Sequence, residues 1–177
     1  LSRAEPLLVA GGSSLNSRRT AMPGTQAEFD YAVWLIDMSE LHLLCGHEGA
    51  SERAIDTLEE SLAILQELLR LDPDSMSVMQ GLHLVQDRLA DCCYRRGRPG
   101  DLERALALRE ESVKAGRRAA AEQPESNWAV RNLAVAINKL GDLFASFEQP
   151  ENVERAKRCF REALSIQRII SSSGATP

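Results

Sequence analysis

One phrase recurs three times at a single spacing, and that spacing constrains the fold more than any local propensity does. Leu140-Gly-Asp142 lies 51 residues after Leu89-Ala-Asp91, which lies 51 after Met38-Ser-Glu40. The triplet Glu-Arg-Ala recurs at 52–54, 103–105 and 154–156. Glu60-Ser61 matches Glu111-Ser112, and Pro73 and Ser75 match Pro124 and Ser126. No gap is needed, so residues 25–75, 76–126 and 127–177 are three copies of one unit behind a leader at 1–24. A fixed period of this size marks a repeat architecture, in which each unit buries its apolar face only against its neighbours.

Within the unit the apolar spacing is helical. Thr25-Gln-Ala-Glu28 has the form of a capping box, with a hydroxyl at the N-cap and a carboxylate three residues on. Phe29, Val33, Ile36, Leu41 and Leu44 follow at helical spacing as far as Cys45-Gly46. A second helix carries Ala54, Leu58, Leu62, Leu65 and Leu69 and stops before Asp72-Pro-Asp74, because a residue preceding proline avoids the α region. The same plan predicts helices over roughly 77–96, 101–122, 127–147 and 152–170, with Asp101 as an N-cap and Gly97-Arg-Pro-Gly100 as a turn. The fourth helix is more polar than the second, with Arg109, Lys114, Arg117 and Arg118, and is expected to face water over more of its surface. The leader, with Gly11-Gly-Ser-Ser14 and Pro23-Gly24, has linker composition and one small apolar patch at Leu7-Leu-Val9.

Charge is distributed unevenly along the array. The net charge is −5, yet repeat one holds twelve acids against two arginines, −10, while repeats two and three are +1 and +2 and the leader +2. A duplex nucleic-acid binder needs a basic face throughout, so nucleic acid is not an expected partner. No apolar run approaches the ~20 residues that span a bilayer, so no membrane is expected either. Cys45, Cys92, Cys93 and Cys159 show no paired spacing and read as reduced thiols of a cytoplasmic protein. Leu164, Ile166, Ile169 and Ile170 fall on the last helix with no polar cap behind them. The expectation is that the array continues in a longer protein, or that this face is covered by a partner or by a second copy in a homodimer through the last helix pair.

Repeat three carries Ile137, Leu140, Gly141, Phe144, Ala156, Phe160 and Ala163, and repeat one Leu35, Met38, Ser39, Ala54, Leu58 and Ser61. These positions resemble the tetratricopeptide repeat, although the period of 51 exceeds the usual ~34 and is similar to longer-repeat relatives such as kinesin light chain. Repeat two departs from the pattern, with Gln86 and Arg109 where bulky apolar groups are expected. The resemblance implies an all-α fold, a right-handed α-solenoid of three helix-turn-helix units and six main helices. A HEAT-like helical repeat is the structural alternative.

The resemblance also implies a groove lined by the first helix of each pair. By position that groove holds Asp37 and Glu40, then Asp87, Arg88, Asp91 and Tyr94, then Asn138, Lys139 and Asp142, with Val33, Ile36, Leu43, Leu84, Val135 and Ala145 among them. Only Asn138 and Lys139 match the family's clamp for a C-terminal carboxylate, so a chaperone tail is not the expected ligand. The acids Glu40, Asp91 and Asp142 share the period of Arg53, Arg104 and Arg155. They either receive basic side chains of a peptide or pair with those arginines, and the common period favours pairing. His42, Cys45 and His47 lack a fourth ligand, so no metal is expected. No nucleophile–base set, phosphate loop or cofactor motif occurs. The expected function is a non-catalytic scaffold for a protein or peptide partner, without cofactor; the alternative is a regulatory arm of an enzyme whose chemistry lies in another domain.

Overall fold

A computed structural model of the chain describes Ser17, residues 26–147 and residues 149–173. Thr25, the hydroxyl half of the expected capping box, and the Leu7–Val9 patch lie outside the described residues. Among those described, six helices account for the main elements and no strand occurs: α1 Gln26–Cys45, α2 Ala50–Leu71, α3 Met76–Arg96, α4 Asp101–Glu122, α5 Asn127–Ala145 and α6 Pro150–Ser173. The bounds follow the apolar periodicity to within three residues at each end.

The turns explain the breaks. Gly97 adopts φ +64°, a left-handed conformation that costs other residues a Cβ clash, and its N–H donates to the Cys93 carbonyl to close α3. Asp72 N–H closes α2 on the Leu68 carbonyl directly ahead of Pro73. Ser126 caps α5, its hydroxyl accepting from Ala129 N–H at 3.3 Å. Asp101 does something other than cap the helix behind it. Its carboxylate faces backwards, taking two hydrogen bonds from Arg96 at 2.6 and 2.9 Å and one from Arg98 N–H at 2.9 Å. It thereby ties the end of α3 to the start of α4 across the glycine turn.

That fork has a pH signature. The Arg96 hydrogen bonds, helped by the Arg98 amide and opposed by burial, hold the Asp101 carboxyl at about 2, below its ordinary 3.8. A depressed folded-state pKa contributes stability above the unfolded value and loses it as pH falls through the folded one. The stability lead of the parent over Asp101→Asn should therefore be flat above pH about 4 and shrink towards pH 2. Urea midpoints of the two proteins across that window check it, and a lead that grows on acidification overturns the assignment.

The chain forms two compact units, Leu1–Leu102 and Glu103–Pro177. The boundary falls at the start of α4 rather than at a repeat junction. In the first unit α1 lies against α2, α2 against α3, and α1 also reaches α3. Ala32, Leu35, Ile55, Leu58, Leu65, Val85 and Leu89 form its buried centre. Ser61, fully buried, donates to the Ala32 carbonyl at 2.8 Å, so a small hydroxyl serves where α1 and α2 come closest. Leu65 of α2 lies over Gly81 of α3, where an added Cβ would sit 3.1 Å from it.

In the second unit Val113 of α4 joins Leu133, Ala136, Ile137, Leu140 and Phe144 of α5 and Ala156 and Ala163 of α6 in one core. Gly141 allows α5 and α6 to meet, since a Cβ there would lie 2.8 Å from Phe160 Cε1 and 3.1 Å from Cys159 Cβ. Arg109 departs from the sequence expectation. Instead of facing water it is buried, 4% exposed, because its position falls on the packed stripe occupied by Leu58 in repeat one. Burial lowers its guanidinium pKa to about 10, with the Asp142 charge offsetting part of the shift.

Candidate functional site

Each first helix buries one stripe against its partner helix, and side chains spaced four, three and four residues apart then line the opposite face. On α1 that face carries Val33, Asp37, Glu40 and Leu44; on α3 it carries Leu84, Arg88, Asp91 and Arg95. The two helices run side by side in the first unit, so the residues form rungs at the repeat period. By repeat position Val33 corresponds to Leu84, Asp37 to Arg88, Glu40 to Asp91, and Leu44 to Arg95. Leu84 is 40% exposed.

Between α1 and α3 a cleft of about 40 Å³ is lined by Ser39, Glu40, Leu43, Arg88, Asp91, Cys92 and Arg95. It is room for water rather than for a small molecule. Glu40 and Arg88 form an ion pair across it. Both side chains are nearly half exposed, so the pair contributes roughly 0–1 kcal/mol and orients the rung more than it stabilises it. Burial and the neighbouring Glu40 charge raise the Asp37 carboxyl above its ordinary range, and Arg88 offsets them only in part. Burial, with Cys93 and Asp91, pushes the Cys92 thiol up to about 11, so at neutral pH it is a packed thiol and a poor nucleophile.

The structure brings Glu40, Arg88 and Asp91 together in the cleft and leaves Asp37 and Tyr94 exposed, Tyr94 standing a 100° rotation away from Arg95 and so off the cleft-lining stripe of α3. Asn138, Lys139 and Asp142 stand on α5 in the second unit, Asn138 and Asp142 exposed and Lys139 half-buried. Asp87 does not belong to the face. It is 9% exposed, turned inwards like its repeat counterpart Ile36, because one helical position is a 100° rotation from Arg88. Arg95 and Ser39 line the cleft and were not among the expected residues. Arg95 was detectable four residues beyond the acid of its repeat; Ser39, inside the repeated phrase, carried no sign of exposure.

For Glu40, Arg155 and Asp142 the expected pairing gives way to other partners. Glu40 takes Arg88 rather than Arg53. Arg155 reaches Glu110 at 3.0 Å, and its guanidinium lies 3.9 Å from the centre of the Phe144 ring. Asp142 acts on Arg109. A shared period guarantees that an acid and a base recur together, not that they are within reach of each other.

On α6, Leu164 and Ile169 are exposed, Ile170 is half-buried, and Ile166 packs onto the core of the second unit. Polar Lys157, Gln167 and Ser171 occupy the positions of Ile55 and Leu106, Leu65 and Gly116, and Leu69 and Ala120 in the earlier repeats. A further hollow is lined by five residues of α6, Pro150, Glu151, Glu154, Arg155 and Arg158, and no second element contributes to that lining. Among the described residues, no group of three or more His, Cys, Asp and Glu is placed to hold a metal, and no helix is long and apolar enough to cross a membrane.

No protein-family model matches the chain, and no curated protein matches it. Among solved structures it is similar to one described as the DHF58 filament, at 20% identity and a TM-score of 0.59 over 97% of this chain and 84% of the other. It is also similar to the crystal structure of DHR64, a de novo designed helical repeat protein, at 22% identity and a TM-score of 0.56 over 96% and 81% of the two chains. At these identities the likeness speaks to fold alone, and the fold is an all-α helical-repeat solenoid.

Proposed function

We propose that the chain is a non-catalytic scaffold that binds a protein or peptide partner along the outer face of its first helices. One observation carries the reading. At the same register position of each first helix, an aliphatic side chain is left in contact with solvent: Val33 half-buried, Leu84 40% and Val135 44% exposed. Each lies seven residues before an acid, Glu40, Asp91 or Asp142. Scattered exposed aliphatics need no explanation, but an aliphatic exposed at the same register position in each unit matches the mixed apolar and polar make-up of a recognition surface. Exposed Tyr94 and Trp128, residue types enriched at such surfaces, stand on the same helices. The thiols, buried or half-buried, suit a reducing compartment, and we place the protein in the cytoplasm.

The test is affinity capture from an extract of the source cells by the full chain and by Leu84→Asp with Val135→Asp. Both positions are exposed, so folding stability should change by no more than about 0.5 kcal/mol per site. The double variant should lose the captured proteins while keeping its helical circular dichroism. An unchanged set of captured proteins overturns the face as the binding surface.

A further inference from the structure

We infer that the α1–α3 face takes a basic, extended segment of a partner protein, seating an aliphatic side chain on Val33 and Leu84 and a lysine or arginine at Asp37, Glu40 and Asp91. The inference rests on the scaffold reading and adds the chemistry of the partner.

The charge of the first unit points to a basic ligand. Residues 26–102 hold fifteen acids against six arginines and no lysine. Four of those arginines are already engaged: Arg70 by Glu67, Arg88 by Glu40, Arg96 by Asp101 and Arg98 by Glu52. The remaining field is strongly negative and steers cations towards the unit. Locally, Arg88 stands beside the Asp37–Glu40 pair and Arg95 lines the cleft with Asp91, so three acids face two arginines; burial and then the Glu40 charge raise the Asp37 carboxyl, and Arg88 offsets them only in part. A cation arriving beside Asp37 relieves a repulsion that exists in the free protein.

Geometry then limits the form of the ligand. The aliphatic rung and the acid rung are seven residues apart on both helices, a rise of about 10.5 Å at 1.5 Å per residue. In a polyproline II segment, residues three apart lie on the same side and about 9.3 Å apart, whereas in a β-strand they point to opposite sides. The pattern that matches is therefore aliphatic-x-x-cation. The cleft between α1 and α3, at about 40 Å³, is too shallow to seat a helix roughly 10 Å across, but a single extended chain can lie along it.

Fluorescence anisotropy of the full chain with labelled synthetic peptides tests this. One peptide carries two Leu-Pro-Pro-Lys units, a second replaces Lys by Glu, and a third brings Leu and Lys adjacent. The first should bind saturably, with the Glu and adjacent versions at least about tenfold weaker, a difference of about 1.4 kcal/mol. Glu40→Gln with Asp91→Asn should weaken the first peptide about tenfold, as should Leu84→Ser. Asp56→Asn with Glu60→Gln, exposed acids on α2, should leave it unchanged. Equal loss in the α2 variant means a diffuse field rather than a site and overturns the inference, as does failure of the Lys peptide to bind. If the Glu peptide binds instead and depends on Leu84, the basic segment is wrong while the scaffold face stands.

Discussion

Gly141→Leu is expected to destabilise the second unit by about 1–3 kcal/mol, near the upper end of that range, seen as a lower midpoint in urea followed by circular dichroism. Two effects oppose each other at this position. A glycine inside a helix costs about 1 kcal/mol relative to alanine, so any side chain brings a gain in propensity. Against it, the first carbon added would already lie 2.8 Å from the Phe160 ring and 3.1 Å from the Cys159 Cβ. The ring can tilt, but Cys159 Cβ moves only with the backbone of α6. Leucine adds three further carbons to the same gap, in a core where Phe144, Ala156 and Ala163 are nearly fully buried, and interiors packed at crystal density leave no slack for them. Overpacking wins. A variant as stable as the parent would show that α5 and α6 do not need to approach as closely as they do here.

Leu58→Ala and Arg109→Leu should move stability in opposite directions although the two residues occupy the same register position. Leu58 is fully buried, and truncation should cost about 2–5 kcal/mol through lost transfer energy and the cavity left behind. Arg109 is equally buried, but its guanidinium is held at a penalty that shows as a pKa pushed down to about 10. A basic group with a depressed folded-state pKa costs stability while charged, and the cost is relieved only as pH rises through about 10 towards the higher unfolded value. Leucine removes that cost. Asp142, whose charge bears on Arg109, is itself exposed and stays hydrated without it. Replacing a buried charge by a well-packed apolar side chain is often stabilising by 1–4 kcal/mol, and a gain of about 1–3 kcal/mol is expected here. Paired urea titrations of the two variants check both signs, and a destabilised Arg109→Leu would show that Arg109 organises polar groups that leucine abandons.

Much of this architecture was legible in the residues because repetition is information about the whole chain. The step of 51 between Met38, Leu89 and Leu140 determined three units; the apolar spacing and the glycine and proline breaks determined six helices and their ends to within a turn. The small residues that let helices approach, Ser61 and Gly141, were also visible, because size is a property of a residue by itself. What a residue faces is not. Arg109 and Asp87 are charged and read as surface, yet both are buried, since the rotation of a helix is set by the sum of its apolar contacts and carries individual polar residues inside with it. The acid column showed its period but not its partners. Glu40 meets Arg88 on the neighbouring first helix and Arg155 meets Glu110 on α4, because side-chain pairing depends on distances across helices that a one-dimensional pattern does not contain. In the same way the α1–α3 cleft exists only because two helices 51 residues apart lie side by side, and it is that juxtaposition which turned Ser39, Glu40, Arg88, Asp91 and Arg95 into one surface.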